Sequence, residues 1–198
     1  VSDVLPEATF RGDAEDVLDR YYQTAKTHNL DIIVRLTADN PCIDSETIDR
    51  VVRQHIAREN KYTKTAGLPV GTNLQIVSFD ALEQAWKEST ERYDREHVLP
   101  YIARNTQRFK FGLINHDVAD VLKDVRLTMD YPSDYAMLNI VFSHFGDHLF
   151  SLTELATFLK DNPWIKSINR NYQKRKFSSL KEEVRSACDE LKKMEMSN

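Results

Sequence analysis

The sequence predicts a layered α/β fold, and two observations carry that prediction. A run rich in β-branched residues at 31–37 sits between two stretches with helical apolar spacing, 14–28 and 45–59. A strand bracketed by helices is the signature of an α/β layer with parallel strands. The same order of signals then returns near residue 125: a short apolar strand, an aspartate, a proline and a helix.

The elements follow in order. Asp13 is placed to cap a helix over 14–28, with Asp16 in its first turn and Val17, Leu18, Tyr21 and Ala25 forming one stripe. The strand 31–37 ends abruptly at Ala38-Asp39-Asn40-Pro41. The helix over 45–59 turns Ile48, Val51, Val52 and either His55 or Ile56 inward. The stretch KYTKTAGLPVGTNLQIVSF reads as a short strand, a Gly/Pro turn and a second strand over 73–79. Helices over 80–88 and 96–105 and a strand over 108–114 come next. A strand at 125–129 leads through Asp130 into a helix. Ser151 and Glu154, and again Ser179 and Glu182, have capping-box spacing. The division expected is an α/β domain over 1–177 and an amphipathic helix over 178–198 that packs on the domain or on a second subunit. Its stripe is Leu180, Val184, Ala187, Cys188, Leu191 and Met194.

Composition bounds the function. The chain has 198 residues, 41% hydrophobic and 29% charged, which supports a packed core and argues against overall disorder. A net charge of −4 argues against broad nucleic-acid binding. No apolar run approaches the roughly 20 residues of a membrane span, and no signal peptide is visible. Cys42 and Cys188 lack a C-x-x-C pattern and read as free thiols in a reducing cytoplasm. The histidines show no zinc-ligand spacing, and Lys174-Arg175-Lys176 reads as a solvated connector. The five glycines form no phosphate-cradling cluster.

Asp39 and Asp130 form the leading constellation. Each follows the C-terminal end of a strand, where open α/β sheets bind ligands. Two carboxylates there suit Mg²⁺, which takes one or two carboxylates plus phosphate oxygens and water. The competing reading is that each aspartate caps the backbone of its own turn.

The blocks FRGDAEDVLDRYYQTAK, IIVRLTADNPCIDSETID, YDREHVLPYI and VRLTMDYPSDY, in that order, resemble the spore coat polysaccharide biosynthesis type of cytidylyltransferase. The resemblance runs from about Phe10 to Tyr135. It implies a Rossmann-like nucleotidyltransferase fold, a three-layer sandwich around a mixed, mainly parallel sheet. It implies Mg²⁺ on Asp39 and Asp130. A sugar or sugar-acid oxygen would attack the α-phosphorus of CTP and expel pyrophosphate. The resemblance also assigns Arg11, Asp16 and Arg20 to the nucleotide, and Gly71, Asn73, Gln75, Arg95, Glu96 and His97 to the sugar.

The sequence departs from the family pattern twice. The family opens with a strand and a phosphate-cradling loop bearing Arg and Lys, and this chain starts after that βα unit, so the chain alone is expected to bind CTP poorly. Asn73 and Gln75 stand where the family has acids. The alternative reading is therefore a non-catalytic sugar-binding or assembly module. A glycosyltransferase is less well matched, because Ala38-Asp39-Asn40 is not an Asp-x-Asp motif.

Overall fold

A computed structural model describes residues 9–147 and 149–170. The expected helix over 178–198, the basic connector, Cys188 and His148 lie outside the described residues. The described elements are helix α1 (Val17–Thr27), strand β1 (Ile32–Arg35), α2 (Ser45–Ala57), β2 (Tyr62–Ala66), β3 (Gln75–Ser78), α3 (Phe79–Glu88), α4 (Arg92–His97), α5 (Pro100–Arg104), β4 (Phe111–Asn115), α6 (Asp120–Lys123), α7 (Pro132–Phe145) and α8 (Leu152–Asp161), then a 3₁₀ helix at Pro163–Ser167.

The four strands form one sheet in the order β1-β3-β2-β4. β3 is antiparallel to both β1 and β2, while β2 and β4 are parallel. The sheet is mixed, as expected. Only its strand directions are mainly parallel, since β1, β2 and β4 run one way and β3 is reversed between them. Alternation splits the side chains between two faces. Ile33 and Val77 join α1, α3 and α5 in one core cluster. Ile76 and Ile114 join Val51 of α2 in a second, with Ile32 and Val34 against it. A third cluster, around Cys42, Leu127, Met137 and Leu155, packs α6, α7 and α8 together. The fold is the expected three-layer α/β arrangement.

Three expectations are corrected and one open alternative is resolved. The cap of α1 is Asp16, whose Oδ1 accepts from the Asp19 amide at 2.9 Å, while Asp13 makes a local turn with Glu15. The single helix over 96–105 is two short ones. Val98 interrupts them at φ 72°, and Pro100 opens the second. On α2 it is His55, 2% exposed, that faces inward, and Ile56 that faces out. Residues 125–129 do not form a strand of the sheet. They make a lone parallel bridge between Arg126 and Val70. Leu127 donates to the Val70 carbonyl at 2.7 Å and Met129 to the Asp39 carbonyl at 2.8 Å. The segment thus stays extended and joined to the β1 end without a full ladder.

Candidate active site

The chain leaves β1 at Arg35 and turns through residues 37–40. Thr37 and Asn40 build that turn: the Asn40 amide donates to the Thr37 carbonyl at 3.1 Å, and Asn40 Nδ2 donates to Thr37 Oγ1 at 2.7 Å. The N-terminus of α2 is capped by Asp44, whose Oδ2 accepts from the Thr47 amide at 2.9 Å. Neither task falls to Asp39. Its Oδ1 is buried and has no hydrogen-bond partner.

The second acid is arranged alike. Asp134 serves the turn before α7: its Oδ2 accepts from the amides of Asp130 and Tyr131, each at 3.0 Å. The Asp130 carboxylate is left for side-chain chemistry. The only hydrogen bond it accepts from a described residue comes from Arg126 Nη2, onto Oδ2. In both turns a neighbour does the capping, so the turn-capping account of the two aspartates fails locally. The Met129–Asp39 backbone bond ties their loops together.

A buried, unpartnered carboxylate oxygen is costly unless something meets it. A cation would do so, and carboxylate oxygens suit a hard one. Magnesium satisfies its remaining positions with water and phosphate oxygens. Beside the pair, Pro41, Met129, Tyr135, Leu138 and Phe142 line an apolar cleft of about 510 Å³.

The other predicted site residues divide into groups. Gly71, at φ 93°, lies where the 125–129 segment crosses its loop, leaving no room for a Cβ. Asn73 donates to the Pro69 carbonyl at 3.2 Å. Gln75 is held across the sheet, accepting from Arg35 Nη1 and donating to the Tyr62 hydroxyl, both at 3.1 Å. Asp16 and Arg95 are ion-paired, and Arg95 also donates to the Trp86 carbonyl at 2.8 Å. Both are therefore engaged at the α1–α4 junction. Glu96 is exposed there, and His97 lies edge-on to Tyr93 with centroids 4.4 Å apart. Arg11 is exposed ahead of α1. Arg20 keeps a buried, unpartnered Nε, and the next residue, Tyr21, donates its hydroxyl to the Leu36 carbonyl at 3.2 Å.

Sequence reasoning missed Arg35, Arg126, Asp134 and Asn169. Arg35 ends β1 at the crevice with a buried, unpartnered Nε. A cavity of about 490 Å³ lies elsewhere, between α2, the end of β4 and the start of α8. There Arg50 donates to His116 Nδ1 at 3.2 Å. Burial and the Arg50 charge push the His116 pKa down.

A three-layer α/β domain with two acid-bearing loops joined beyond the end of β1 has its candidate site where open α/β sheets bind ligands. Residues 7–182 match the cytidylyltransferase family, and the chain belongs to it. It is 36% identical over 173 residues to an uncharacterised protein of Methanocaldococcus jannaschii, covering 87% of this chain and 71% of that one. It is 29% identical over 156 residues to the spore coat polysaccharide biosynthesis protein SpsF of Bacillus subtilis, covering 78% of this chain and 65% of SpsF. The structure of a cytidylyltransferase from Leptospira borgpetersenii superposes with a TM-score of 0.76 at 31% identity, covering 90% of this chain and 77% of that one. The family is one of CTP-using nucleotidyltransferases, and the shared fold is theirs. Among the described residues no helix is long and apolar enough to cross a membrane.

Proposed function

We propose that this chain takes part in transferring a cytidylyl group from CTP to a sugar or sugar acid, with Mg²⁺ and release of pyrophosphate, for surface polysaccharide or glycan synthesis. Family membership supports the nucleotide. The likeness to SpsF, named for spore coat polysaccharide biosynthesis, supports the sugar. The observation that carries the reading is the pair of carboxylates left unused by their own turns.

Asp39 and Asp130 would hold the ion. When bound, magnesium supplies charge neutralisation at the phosphate oxygens and polarises the phosphorus under attack. The residues of this chain orient the groups around it. The Asp39–Met129 backbone bond fixes the spacing of the two loops. Arg35 and Arg20, each with an unpartnered guanidinium N–H, offer donors to anionic oxygens near the β1 end. Nucleotidyl transfer of this kind rests on positioning and electrostatics more than on covalent chemistry by the protein.

The test is pyrophosphate release from CTP with Mg²⁺ across a panel of sugars and sugar acids, for the parent protein and Asp39→Asn. Loss of one such electrostatic contact costs about 2.7–4 kcal/mol, a rate loss of roughly a hundred- to a thousandfold. Turnover unaffected by Asp39→Asn rejects the acid-pair site. Sugar binding without pyrophosphate release favours the non-catalytic module, a reading consistent with Asn73 and Gln75 being taken up in internal hydrogen bonds.

A further inference from the structure

Behind Asp130 lies a polar cluster that the two-acid reading does not use. Arg126 is 9% exposed, Asp134 0% and Asn169 1%. Arg126 Nε donates to both oxygens of Asp134, at 3.0 and 3.1 Å, while its Nη2 reaches forward to Asp130 Oδ2. Asn169, from the segment after the 3₁₀ helix, donates to the Arg126 carbonyl at 3.0 Å and to Asp134 Oδ1 at 2.9 Å. The Tyr131 ring covers the guanidinium, with Cζ 5.4 Å from its centroid.

The two ends of this arginine do different work. A fully buried Asp134 needs a cation, and Nε supplies it. Nη2 is not needed for that purpose, yet it is bonded to a carboxylate whose side chain is 47% exposed. An exposed ion pair adds little stability. A planar guanidinium can grip two carboxylates at fixed angles, which an ammonium cannot do.

We propose that Arg126 is a positioning residue: it pins Oδ2 of Asp130 so that Oδ1 is presented to the divalent cation shared with Asp39. The proposal rests on the metal reading above. Two effects compete. The clamp orients the ligand and raises affinity for the ion, whereas a nearby positive charge repels it. Orientation wins, because Asp134 already neutralises the guanidinium at hydrogen-bond distance. Losing an outer partner of a metal ligand typically costs about 10–100-fold in metal affinity.

The experiment titrates Mn²⁺, followed by electron paramagnetic resonance of the free ion, into five proteins: parent, Asp39→Asn, Asp130→Asn, Arg126→Lys, and Arg126→Gln combined with Asp134→Asn. The combined variant removes both charges together, so it guards against misfolding caused by an unpaired Asp134. Melting curves accompany each titration. The expected result is that either aspartate change abolishes binding, and that both Arg126 variants weaken it about 10–100-fold. A purely structural arginine would lower the melting temperature and leave the Mn²⁺ affinity of the folded molecules unchanged. That outcome, with the aspartate variants still defective, overturns the proposal alone. A parent protein that binds no Mn²⁺, or binding that survives Asp39→Asn, overturns the metal reading and this proposal with it.

Discussion

The backbone amide of Met129 donates to the carbonyl of Asp39 at 2.8 Å. That one bond joins the turn after β1 to the segment before α7, residues 90 positions apart in the chain. It places two acid-bearing loops side by side although the second is not a strand of the sheet.

If one ion bridges those loops, the two acids act as a unit. Asp39→Asn and Asp130→Asn should each lower metal-dependent turnover by roughly a hundred- to a thousandfold. The double variant should lose far less than the product of the single losses. Asp39→Asn should leave the melting temperature unchanged or raised, because it removes the charge from a carboxylate with one oxygen buried and unpartnered. Multiplicative losses across the four proteins would mean that the acids serve separate ends.

A second expectation concerns acid. His55 is buried on α2, bonded through Nδ1 to Thr63 Oγ1 at 2.8 Å. Burial, and then the charge of Lys61, hold its pKa below the usual value of 6.5. The folded state therefore keeps it neutral where the unfolded chain already takes a proton. The unfolded state binds more protons in that window, so stability falls as pH drops below about 6.5 toward the folded pKa, by at most about 1.4 kcal/mol per pH unit for one such group. His116 adds a slope of the same sign. Melting temperatures between pH 7.5 and 5.5 should decline more steeply in the parent than in His55→Gln. Parallel curves would show that His55 does not contribute.

How far the sequence reveals this molecule depends on the range of each signal. α2, α3 and α8 are foreseeable because caps and apolar spacing are local. Asp44 bonds to Thr47, and Ser151 to Glu154, within one turn. The break at Val98 is a tertiary choice, since a buried valine at positive φ is not an intrinsic preference. The extended 125–129 run is legible as β-like, but its pairing is decided by Val70 and Asp39. Both acids stand out in the sequence through the repeated strand–acid–proline order. The residues that free them for chemistry do not. Asn40 and Asp134 look like ordinary turn residues, and Asn169 reaches its partners across 35 and 43 positions with no periodicity to betray it. Gln75 shows the converse. It looks like a substrate contact by position, yet its amide is spent between Arg35 and Tyr62.

Cys42 offers a test of core integrity. It is 5% exposed within the cluster that packs α6, α7 and α8. Burial pushes its pKa up to about 12. At pH 8 roughly one molecule in ten thousand carries the reactive thiolate. Iodoacetamide should therefore leave Cys42 unmodified in the native protein and alkylate it fully in denaturant, as read by peptide mass spectrometry. Rapid native labelling would mean that this cluster opens readily.

Gly71 couples the fold to the site most directly. At φ 93° a side chain is strained, and a Cβ would lie 2.6 Å from the Leu127 carbonyl carbon and 2.6 Å from the Thr128 nitrogen. Those atoms are backbone, so relief requires moving the very segment that delivers Asp130. Gly146 supplies the control, with φ 61° and nothing within 4 Å of where a Cβ would sit. Strained backbone of this kind costs on the order of 1–3 kcal/mol, and each kcal/mol is worth about 2–4 °C of melting temperature in a chain of this size. Gly146→Ala should show that cost alone, with Mn²⁺ affinity unchanged. Gly71→Ala should lose more stability, because overlap adds to strain. It should also lose Mn²⁺ affinity, since displacing Leu127 and Thr128 pulls the Met129 amide from the Asp39 carbonyl. Equal metal affinity in the two alanine variants would show that the spacing of the acids does not depend on this crossing.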